Sequence, residues 1–439
     1  MTRFLLPASL ALIATQATST EAIKPLTDED FRPINSAEAE LGQLLFYDPI
    51  LSGNRNISCA TCHHPDFATA DGVSLSLGEG GIGLGPDRVA DPENTPEKRI
   101  PRHAPALFNL GAHEFTVMFH DGRIEVDETL PGGLRTPMDA DMTAGFDTLL
   151  SAQTMFPVLS ADEMAGHYSE NDVSQAVRQG RITGPGGAWD ILSRRVSENP
   201  LYTLLFQNAY PDIAAGREIA FPDISNAIGA FIEWEWRSDT SPFDAYLRGE
   251  ATLSPAATAG KELFYGKANC ASCHSGPFQT DHSFHAMGVP QFGPGKSASF
   301  ESHKRDTGRA RVTGDDADLY AFRTPSLRNV ARTAPYGHTG AYRTLGDFIR
   351  AHVDPFYALA NYDRAEPILP DLEASDFWVL DRPEEVAAIT AQLGVFTSHL
   401  NDIEVSQLVA FLHTLTDEAG IKGRLGIPPQ VPSGLPIDR

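Results

Sequence analysis

The sequence predicts a mainly α-helical protein made of two similar halves. Three observations predict this fold class: a pentapeptide that occurs twice, a wider repeat around it, and apolar residues at helical spacing without runs of alternating strands. The chain has 439 residues, 41% hydrophobic and 21% charged, which is enough for two or three domains with their own cores. Its formal net charge of −24 argues against nucleic acid as a partner and favours encounter with basic proteins.

All four cysteines lie in the two Cys-x-x-Cys-His pentapeptides, CATCH and CASCH. This spacing is the attachment signature of c-type haem, because two thiols bond to the two vinyl groups of one porphyrin while the adjacent histidine faces the iron. A zinc knuckle would need more ligands nearby, and a thioredoxin-type dithiol would lie in a βαβ pattern. The predicted haem-binding residues are Cys59, Cys62 and His63 for the first haem and Cys270, Cys273 and His274 for the second.

The repeat extends well beyond the pentapeptides. Three pairs of segments correspond: Gly-x-x-Leu-Phe-Tyr at 42–47 and 260–265, RHAPALFNL at 102–110 with FRTPSLRNV at 322–330, and FHDG at 119–122 with GHTG at 337–340. A repeat of this length predicts two copies of one module, that is, two cytochrome c-like haem domains related by internal duplication. We place the N-terminal domain at 23–240 and the C-terminal domain at 241–439.

The apolar pattern between the motifs is helical. Val405, Leu408, Val409 and Leu412 recur at the spacing that places them on one face of a helix near the C-terminus. Gly- and Pro-rich loops such as GEGGIGLGP at 78–86 separate such segments. The sequence therefore predicts short helices joined by long loops.

The first 22 residues have the composition of a secretory signal. Arg3 precedes an apolar run from Phe4 to Ala14, and small residues follow. The run is too short to span a membrane, and no other stretch reaches the roughly 18 uncharged apolar residues that a spanning helix needs. A buried N-terminal helix is the alternative interpretation. We expect an exported, periplasmic protein without a membrane span, which agrees with covalent haem attachment outside the cytoplasm.

These motifs together resemble the bacterial di-haem cytochrome c peroxidase superfamily, which includes MauG-type enzymes that oxidise a protein partner. The likeness rests on Arg102 to Pro105, Asp121 to Arg123, ADEMAG around Glu163, and the stretch 324–345. It implies reduction of hydrogen peroxide at the N-terminal haem, with electrons entering through the C-terminal haem from a small c-type cytochrome or a cupredoxin. A MauG-like oxidase acting on a protein substrate and a non-catalytic dihaem electron-transfer cytochrome are the alternatives. Members often form homodimers.

The resemblance also implies a sixth ligand for the second haem. Family members place a methionine, or a tyrosine in MauG-type enzymes, about eight residues after the Thr-Leu pair, and counting from Thr344 leads to His352. His352 shares a helical face with Phe348 and Ile349, so it is predicted to point inward. A core histidine is the alternative interpretation, and Met287 is the rival ligand. Ligation by two histidines would give a lower potential than ligation by methionine.

The first haem would need an acid–base group beside an open coordination position. Gln153 and Glu163 lie ten residues apart with Pro157 between them, a pattern similar to the distal pocket of the family. A glutamate there can take a proton from hydrogen peroxide and return it to the leaving oxygen. Burial beside a haem would raise its pKa, which suits that task.

Three positions depart from the family pattern. Family members carry a distal histidine before the arginine–proline stretch, whereas no histidine occurs here between His64 and His103, so an always-open first haem is expected. His120 occupies the position of the tryptophan between the haems, where we expect a hydrogen bond to a propionate. His103 replaces the asparagine of the interdomain calcium site, and since a hard cation prefers oxygen, calcium there is doubtful.

Overall fold

The computed structural model describes residues 23–138, 140–297, 301–394 and 398–439. Helices dominate the described part of the chain, as predicted, and its seven strands have only two or three residues each. The signal segment at 1–22 lies outside the described residues. No described helix has the length and apolar character needed to cross a membrane.

The helices are short and evenly distributed over the two halves. In the N-terminal half they are α1 (Ser36–Tyr47), α2 (Cys59–Cys62), α3 (Leu149–Gln153), α4 (Asp172–Arg178), α5 (Ala188–Ser197), α6 (Pro200–Ala209), α7 (Pro211–Ala214) and α8 (Phe221–Glu235). In the C-terminal half they are α9 (Pro242–Leu247), α10 (Pro255–Tyr265), α11 (Ala310–Thr313), α12 (Leu345–Val353), α13 (Pro355–Ala360), α14 (Pro383–Thr390), α15 (Asp402–His413) and α16 (Glu418–Lys422). The predicted boundary at 240 lies between α8 and α9.

The strands form three small antiparallel sheets. Their bounds are β1 (Gly81–Ile82), β2 (Val89–Ala90), β3 (Val117–Met118), β4 (Ile124–Val126), β5 (Leu134–Arg135), β6 (Phe284–His285) and β7 (Phe322–Arg323). β1 pairs with β2, β3–β4–β5 form a meander in which Val117 faces Glu125, and β6 pairs with β7 so that Phe284 faces Arg323. All three sheets lie within the segments that connect helices.

The same helix contact occurs once in each half. α1 packs against α8 so closely that a methyl group at Gly42 would lie 1.8 Å from the carbonyl oxygen of Ala227. α10 packs against α15 in the same way, since a methyl group at Gly260 would lie 1.9 Å from the carbonyl oxygen of Gln407. Both glycines begin the repeated Gly-x-x-Leu-Phe-Tyr motif. The glycine of the motif therefore allows two helix backbones to come into contact.

A second pair of equivalent contacts ends the repeated proline segments. Asn109 and Asn329 both have left-handed backbones, with φ of 60° and 61°, a conformation that asparagine tolerates better than most residues. The amide of Asn109 donates to the carbonyl oxygen of Trp236 at 3.1 Å, and that of Asn329 donates to the carbonyl oxygen of Leu415 at 3.0 Å. Each asparagine thus anchors its loop to the chain just beyond the long helix of its half.

Each half of the chain has its own main apolar core, and each core also contains residues from the other half. Phe46, Phe231 and Trp236 meet at ring-centroid distances of 5.2 Å in the first core, and Phe264 and Phe411 meet at 5.2 Å in the second. The C-terminal tail returns to the first core, where Ile421 and Val431 are buried, while Leu75 belongs to the second. The halves are therefore interlocked. They do not simply adjoin at residue 240.

Candidate functional site

The first pentapeptide forms α2, with Cys59 and Cys62 at its ends and His63 directly after it. The Nδ1 of His63 donates to the carbonyl oxygen of Thr69 at 2.9 Å, which fixes the tautomer and leaves Nε2 as a bare ligand atom. Burial raises the pKa of both thiols to about 12, so neither is a ready thiolate. The segment fits a covalently held haem with His63 on one face.

The second pentapeptide repeats this arrangement on a 3-10 turn, Cys270–Ser272. The Nδ1 of His274 donates to the carbonyl oxygen of Gln279 at 3.1 Å, which again leaves Nε2 bare. Desolvation, and next to it the neighbouring His352 imidazole, lower the pKa of His274 to about 4. The structure thus brings together two imidazoles that the sequence separates by 78 positions.

The zinc interpretation has one geometric candidate in the described part of the chain. Ligand atoms of Cys273, Asp281 and His285 all lie within 4.8 Å of one another. The His285 ring is, however, already engaged, since its Nε2 donates to the Asp281 carboxylate at 3.0 Å. A cysteine sulfur bonded to a porphyrin also ceases to be a thiolate ligand, so the haem and zinc interpretations exclude each other at Cys273.

Glu163 and Gln153 lie on two short elements of the N-terminal half, and the Glu163 carboxylate acts on the Cys62 thiol of the first pentapeptide. Gln153 ends α3, and its Oε1 is buried without a hydrogen-bond partner among the described residues. Glu163 lies in a single π-helical turn, Ala161–Ala165, a rare conformation often found at functional sites. Desolvation raises the pKa of Glu163, whereas Lys296 and Arg123 act in the opposite direction. The N-terminal half thus offers a protonatable carboxyl and an unpaired amide oxygen, and we call the surroundings of Glu163 the N-terminal pocket.

Two backbone hydrogen bonds hold the π-helical turn in place. The amide of Gly53 donates to the carbonyl oxygen of Met164 at 2.7 Å, and the amide of Glu79 donates to that of Asp162 at 2.9 Å. Gly53 must be glycine, because a methyl group there would lie 1.9 Å from the carbonyl oxygen of Ala165. The loops before and after the first pentapeptide thus hold the backbone of the turn that carries Glu163.

Lys296 is a functional candidate that the sequence does not reveal. It belongs to the C-terminal half, yet the groups that act on it are those of the N-terminal pocket, Arg123, Arg102, Glu163 and Asp121. Desolvation first, and then the two guanidinium groups, lower the pKa of Lys296 to about 8. No local motif marks this lysine, since only the tertiary fold brings it near Glu163.

His352 lies near the end of α12, where its Nδ1 donates to the carbonyl oxygen of Phe348 at 2.9 Å. Its ring meets Phe348 edge-on at a centroid distance of 4.3 Å, and Phe348 in turn stacks on Tyr336 at 6.0 Å. Desolvation lowers the pKa of His352, so the imidazole is neutral with a bare Nε2. The rival, Met287, is half-buried two residues after β6.

A buried ion triad joins the two halves. The Arg102 guanidinium donates to both oxygens of Asp306 at 2.6 and 2.8 Å and lies 2.8 Å from an oxygen of Asp121. Its charge holds the pKa of both aspartates below their usual range. The same guanidinium lies 5.5 Å from the centroid of the Phe322 ring. The arginine of the Arg-x-x-Pro stretch therefore ties the N-terminal half to the loop at 306.

Three histidines line the contact between the halves. His103 donates from Nδ1 to the carbonyl oxygen of Val73 at 2.9 Å, and His120 donates from Nε2 to that of His103 at 3.2 Å. His338 stacks on Phe322 at 3.7 Å with an angle of 15° between the rings, and its buried Nε2 has no partner among the described residues. Desolvation lowers the pKa of His120 and His338 to about 3, so both rings are neutral.

His64 is fixed within its own loop. Its side chain is fully buried, and its Nδ1 accepts a hydrogen bond from the amide of Asp66 at 3.3 Å. The ring also packs near Phe67 at 6.2 Å between centroids. These local contacts hold the ring to the turn that follows the pentapeptide.

With this geometry in hand, comparison with known proteins identifies the family. Residues 36–252 match the family model described as di-haem cytochrome c peroxidase, and the chain belongs to that family. The prediction made from the motifs is thereby confirmed, and the protein is an oxidoreductase of the cytochrome c peroxidase type.

Relatives include both peroxidases and MauG proteins. The cytochrome-c peroxidase IdrP2 of Pseudomonas sp. (strain SCT) is 28% identical over 333 residues, which is 72% of this chain and 73% of that protein. The methylamine utilization protein MauG of Paracoccus denitrificans (strain Pd 1222) is 28% identical over 411 residues, 89% of this chain and 91% of that protein. The crystal structure of a MauG-like protein associated with microbial copper homeostasis superposes with a TM-score of 0.59 and 26% identity, covering 93% of this chain and 96% of that one.

Proposed function

We propose that this protein is a di-haem c-type peroxidase that reduces hydrogen peroxide at the N-terminal haem with electrons entering through the C-terminal haem. The observation that carries the proposal is the difference between the two distal sides. A carboxyl with a raised pKa, Glu163, lies near Cys62 of the first pentapeptide, whereas a neutral imidazole, His352, lies near His274 of the second. One arrangement suits proton transfer to a small substrate, and the other suits a second fixed ligand.

The proposal includes two cytochrome c-like haem domains related by internal duplication. The matching helix contacts at Gly42 and Gly260 support it, as do the matching loop anchors at Asn109 and Asn329. Each domain would bind its haem covalently through the two cysteines of its pentapeptide. When bound, the two haems supply the electron storage and the binding site for peroxide that the side chains alone lack.

The residues of the N-terminal pocket would move the protons. Reduction of one hydrogen peroxide to two waters consumes two electrons and two protons. Glu163 would take the proton from one peroxide oxygen and return it to the other as the O–O bond breaks. The bare Oε1 of Gln153 would accept a hydrogen bond from the substrate and orient it. The Lys296 ammonium would favour the ionised form of Glu163 between turnovers.

The residues of the C-terminal site would keep electron entry fast. His274 and His352 are both held by a hydrogen bond from Nδ1 to a backbone carbonyl oxygen, at 3.1 and 2.9 Å. Rings fixed in this way need little rearrangement when the charge of the site changes. Two imidazole ligands would also give this haem a lower potential than a methionine at Met287.

We infer that the protein acts in the periplasm after export through the segment at 1–22. The electron donor would be a small c-type cytochrome or a cupredoxin, and the net charge of −24 favours a basic one. Arg102 already places a cation between the two carboxylates at the contact of the halves, so we propose no calcium there.

Oxidation of a protein partner is the second candidate function. The overlap with MauG over 89% of the chain favours it, as does the absence of a histidine between His64 and His103. The neutral His120 imidazole at the contact of the halves argues against it, because imidazole is harder to oxidise than the indole of family members.

The deciding experiment is hydrogen-peroxide-dependent oxidation of a reduced c-type cytochrome by the fully oxidised, haem-loaded protein, repeated after one-electron pre-reduction. Turnover without pre-reduction is expected and supports a peroxidase with a permanently open first haem. Turnover only after pre-reduction would reveal a hidden sixth ligand and contradict the open site. Failure in both states, with the haems still oxidised by peroxide, would favour the protein-oxidising alternative.

A further inference from the structure

A buried glutamate surrounded by asparagines lies behind the wall of the N-terminal pocket. We call this group the asparagine cluster, and its members are Glu79, Asn54, Asn56 and Asn94. The Oε1 of Glu79 accepts hydrogen bonds from the carboxamides of Asn54 at 2.9 Å, Asn56 at 2.9 Å and Asn94 at 3.2 Å. The other oxygen, Oε2, is buried and has no hydrogen-bond partner among the described residues. Oε1 of Glu79 thus accepts three hydrogen bonds, whereas Oε2 accepts none from the described residues.

This arrangement leaves a carboxylate without a counter-charge. Glu79 is only 1% exposed, and within the described ranges no lysine, arginine or histidine nitrogen pairs with it. Burying a carboxylate is costly unless it is paired with a cation or coordinates a metal ion. Neutral carboxamides offset this cost only in part, so the Glu79 carboxylate lacks a balancing positive charge.

We propose that the asparagine cluster binds a calcium ion through Glu79 and the carboxamide oxygens of Asn56 and Asn94. Ca²⁺ takes six to eight oxygen ligands from carboxylates, carboxamides, backbone carbonyls and water. A half-turn of a carboxamide exchanges its nitrogen for its oxygen, so a donor to Glu79 becomes a ligand without movement of the backbone. Asn54 keeps its present orientation, because its Oδ1 accepts a hydrogen bond from Asn171 at 3.0 Å.

The backbone around the cluster is compact enough to supply further oxygens. A methyl group at Gly80 would lie 2.2 Å from the carbonyl oxygen of Asn94, and Gly80 has a left-handed φ of 79°. Only glycine allows the loop at 91–96 to approach the loop at 78–80 this closely. The carbonyl oxygen of Asn94 therefore lies against the loop that carries Glu79, and a backbone carbonyl oxygen is among the ligands that Ca²⁺ takes.

The site would brace the turn that carries Glu163. The amide of Glu79 donates to the carbonyl oxygen of Asp162 at 2.9 Å. Asn171 links Asn54 to the same turn, since its carboxamide also donates to the carbonyl oxygen of Ala165 at 3.0 Å. Calcium would thus join three loops to the π-helical turn, at a place distinct from the Arg102 triad. The proposal does not depend on which reaction the protein catalyses.

Calcium binding by the haem-loaded protein tests the proposal directly. The protein is freed of divalent cations with EGTA and titrated with Ca²⁺ by isothermal titration calorimetry, and its thermal unfolding is followed by circular dichroism in the Soret band. The variant is Glu79→Gln, and the matched control is Glu93→Gln, an exposed glutamate on the same loop. We expect wild type and Glu93→Gln to bind one more equivalent of Ca²⁺ than Glu79→Gln. We also expect an unfolding midpoint that Ca²⁺ raises in both but not in Glu79→Gln.

Two results would overturn the proposal. One is wild-type protein that binds no Ca²⁺ after EGTA treatment, and the other is Glu79→Gln that binds the same number of equivalents with unchanged affinity. If Glu79→Gln does not yield folded protein, Asn94→Ala on the half-exposed loop takes its place. That variant is expected to bind Ca²⁺ at least tenfold more weakly, and an unchanged affinity would equally refute the site.

Discussion

The two halves of the chain share two kinds of helix and histidine contact and differ in the side chains near each pentapeptide. In both, a glycine brings two long helices into backbone contact, and the histidine after the cysteines donates from Nδ1 to a nearby carbonyl oxygen. Near the pentapeptides the chemistry differs: the Glu163 carboxylate acts on Cys62 and is itself acted on by Lys296, whereas the His352 imidazole acts on His274. The halves thus share helix contacts and differ in chemistry, and the difference lies in a few residues on short elements.

The difference also shows where each half gets its distal groups. His352 comes from a helix of its own half, fixed by one carbonyl and one phenyl ring. The N-terminal pocket instead depends on a loop of the other half for Lys296 and on the π-helical turn for Glu163. A pocket assembled from both halves is more sensitive to interdomain contacts such as the Arg102 triad.

Glu163→Gln should lower kcat/KM for hydrogen peroxide by about 10²–10⁴-fold, because the amide cannot carry a proton between the peroxide oxygens. Steady-state oxidation of a reduced c-type cytochrome measures this, with haem content checked by the pyridine haemochrome spectrum. Glu128→Gln, at an exposed turn of the same half, is the matched control and should behave as wild type. A Glu163→Gln enzyme within threefold of wild type would remove Glu163 from the chemistry.

His352→Met should change the C-terminal site while leaving the N-terminal site intact. The potential of the second haem should rise, because thioether ligation raises it, and spectra should lose the signature of two imidazole ligands. Redox titration with optical detection measures both. His399→Met, at an exposed position, serves as control. If Met287→Leu shifts the potential and His352→Met does not, the methionine is the ligand.

Gly42→Ala and Gly260→Ala should each destabilise mainly the half that carries the substitution. The added methyl group meets a carbonyl oxygen at 1.8 or 1.9 Å, so the helices must separate, at a cost of about 1–3 kcal/mol. Guanidinium unfolding followed at each haem measures the effect. Gly346→Ala on α12 is the control, because the nearest atom that a methyl group would meet there is the flexible end of the Arg350 side chain, at 3.3 Å. Equal loss at both haems for each variant would show that the halves unfold as one unit.

The pH dependence of turnover should show an alkaline limb set by Lys296. Below about pH 8 the amine is charged and favours the Glu163 carboxylate, and above it the charge is lost, so kcat/KM falls several-fold as pH rises. The acid limb follows from protonation of Glu163, whose pKa lies above its ordinary value. Lys296→Arg should move the alkaline limb upward, and Lys296→Met should remove it. Lys422→Met, on an exposed helix, should leave the profile unchanged, and an unaltered limb in both Lys296 variants would contradict this role.

The sequence predicts the scaffold better than it predicts the pocket. The pentapeptides and the Gly-x-x-Leu-Phe-Tyr motif are local patterns whose physical demands can be seen in the residues themselves. The Arg102–Asp306 contact joins positions 204 residues apart in sequence. Lys296 lies in a loop without a motif, and only the fold brings it near the groups that act on it. The return of the C-terminal tail to the first core is hidden for the same reason.

Two further features of the structure, a π-helical turn and a buried glutamate, cannot be predicted from the residues next to them in the sequence. The segment ADEMAG gives no warning of a π-helical turn, because that conformation is imposed by hydrogen bonds from Gly53 and Glu79 in other loops. Likewise Glu79 stands in a Gly-rich stretch that is typical of an exposed loop, yet three asparagines from other segments bury it. Such groups become visible only when their hydrogen-bond partners are known.

Low-temperature electron paramagnetic resonance of the fully oxidised, haem-loaded protein distinguishes an open first site from a closed one. We propose an open site in the N-terminal half and a site with two fixed ligands in the C-terminal half. We expect one high-spin and one low-spin ferric signal of equal intensity, with the low-spin signal altered in His352→Met. Two low-spin signals would show that a sixth ligand closes the first site and would contradict the account.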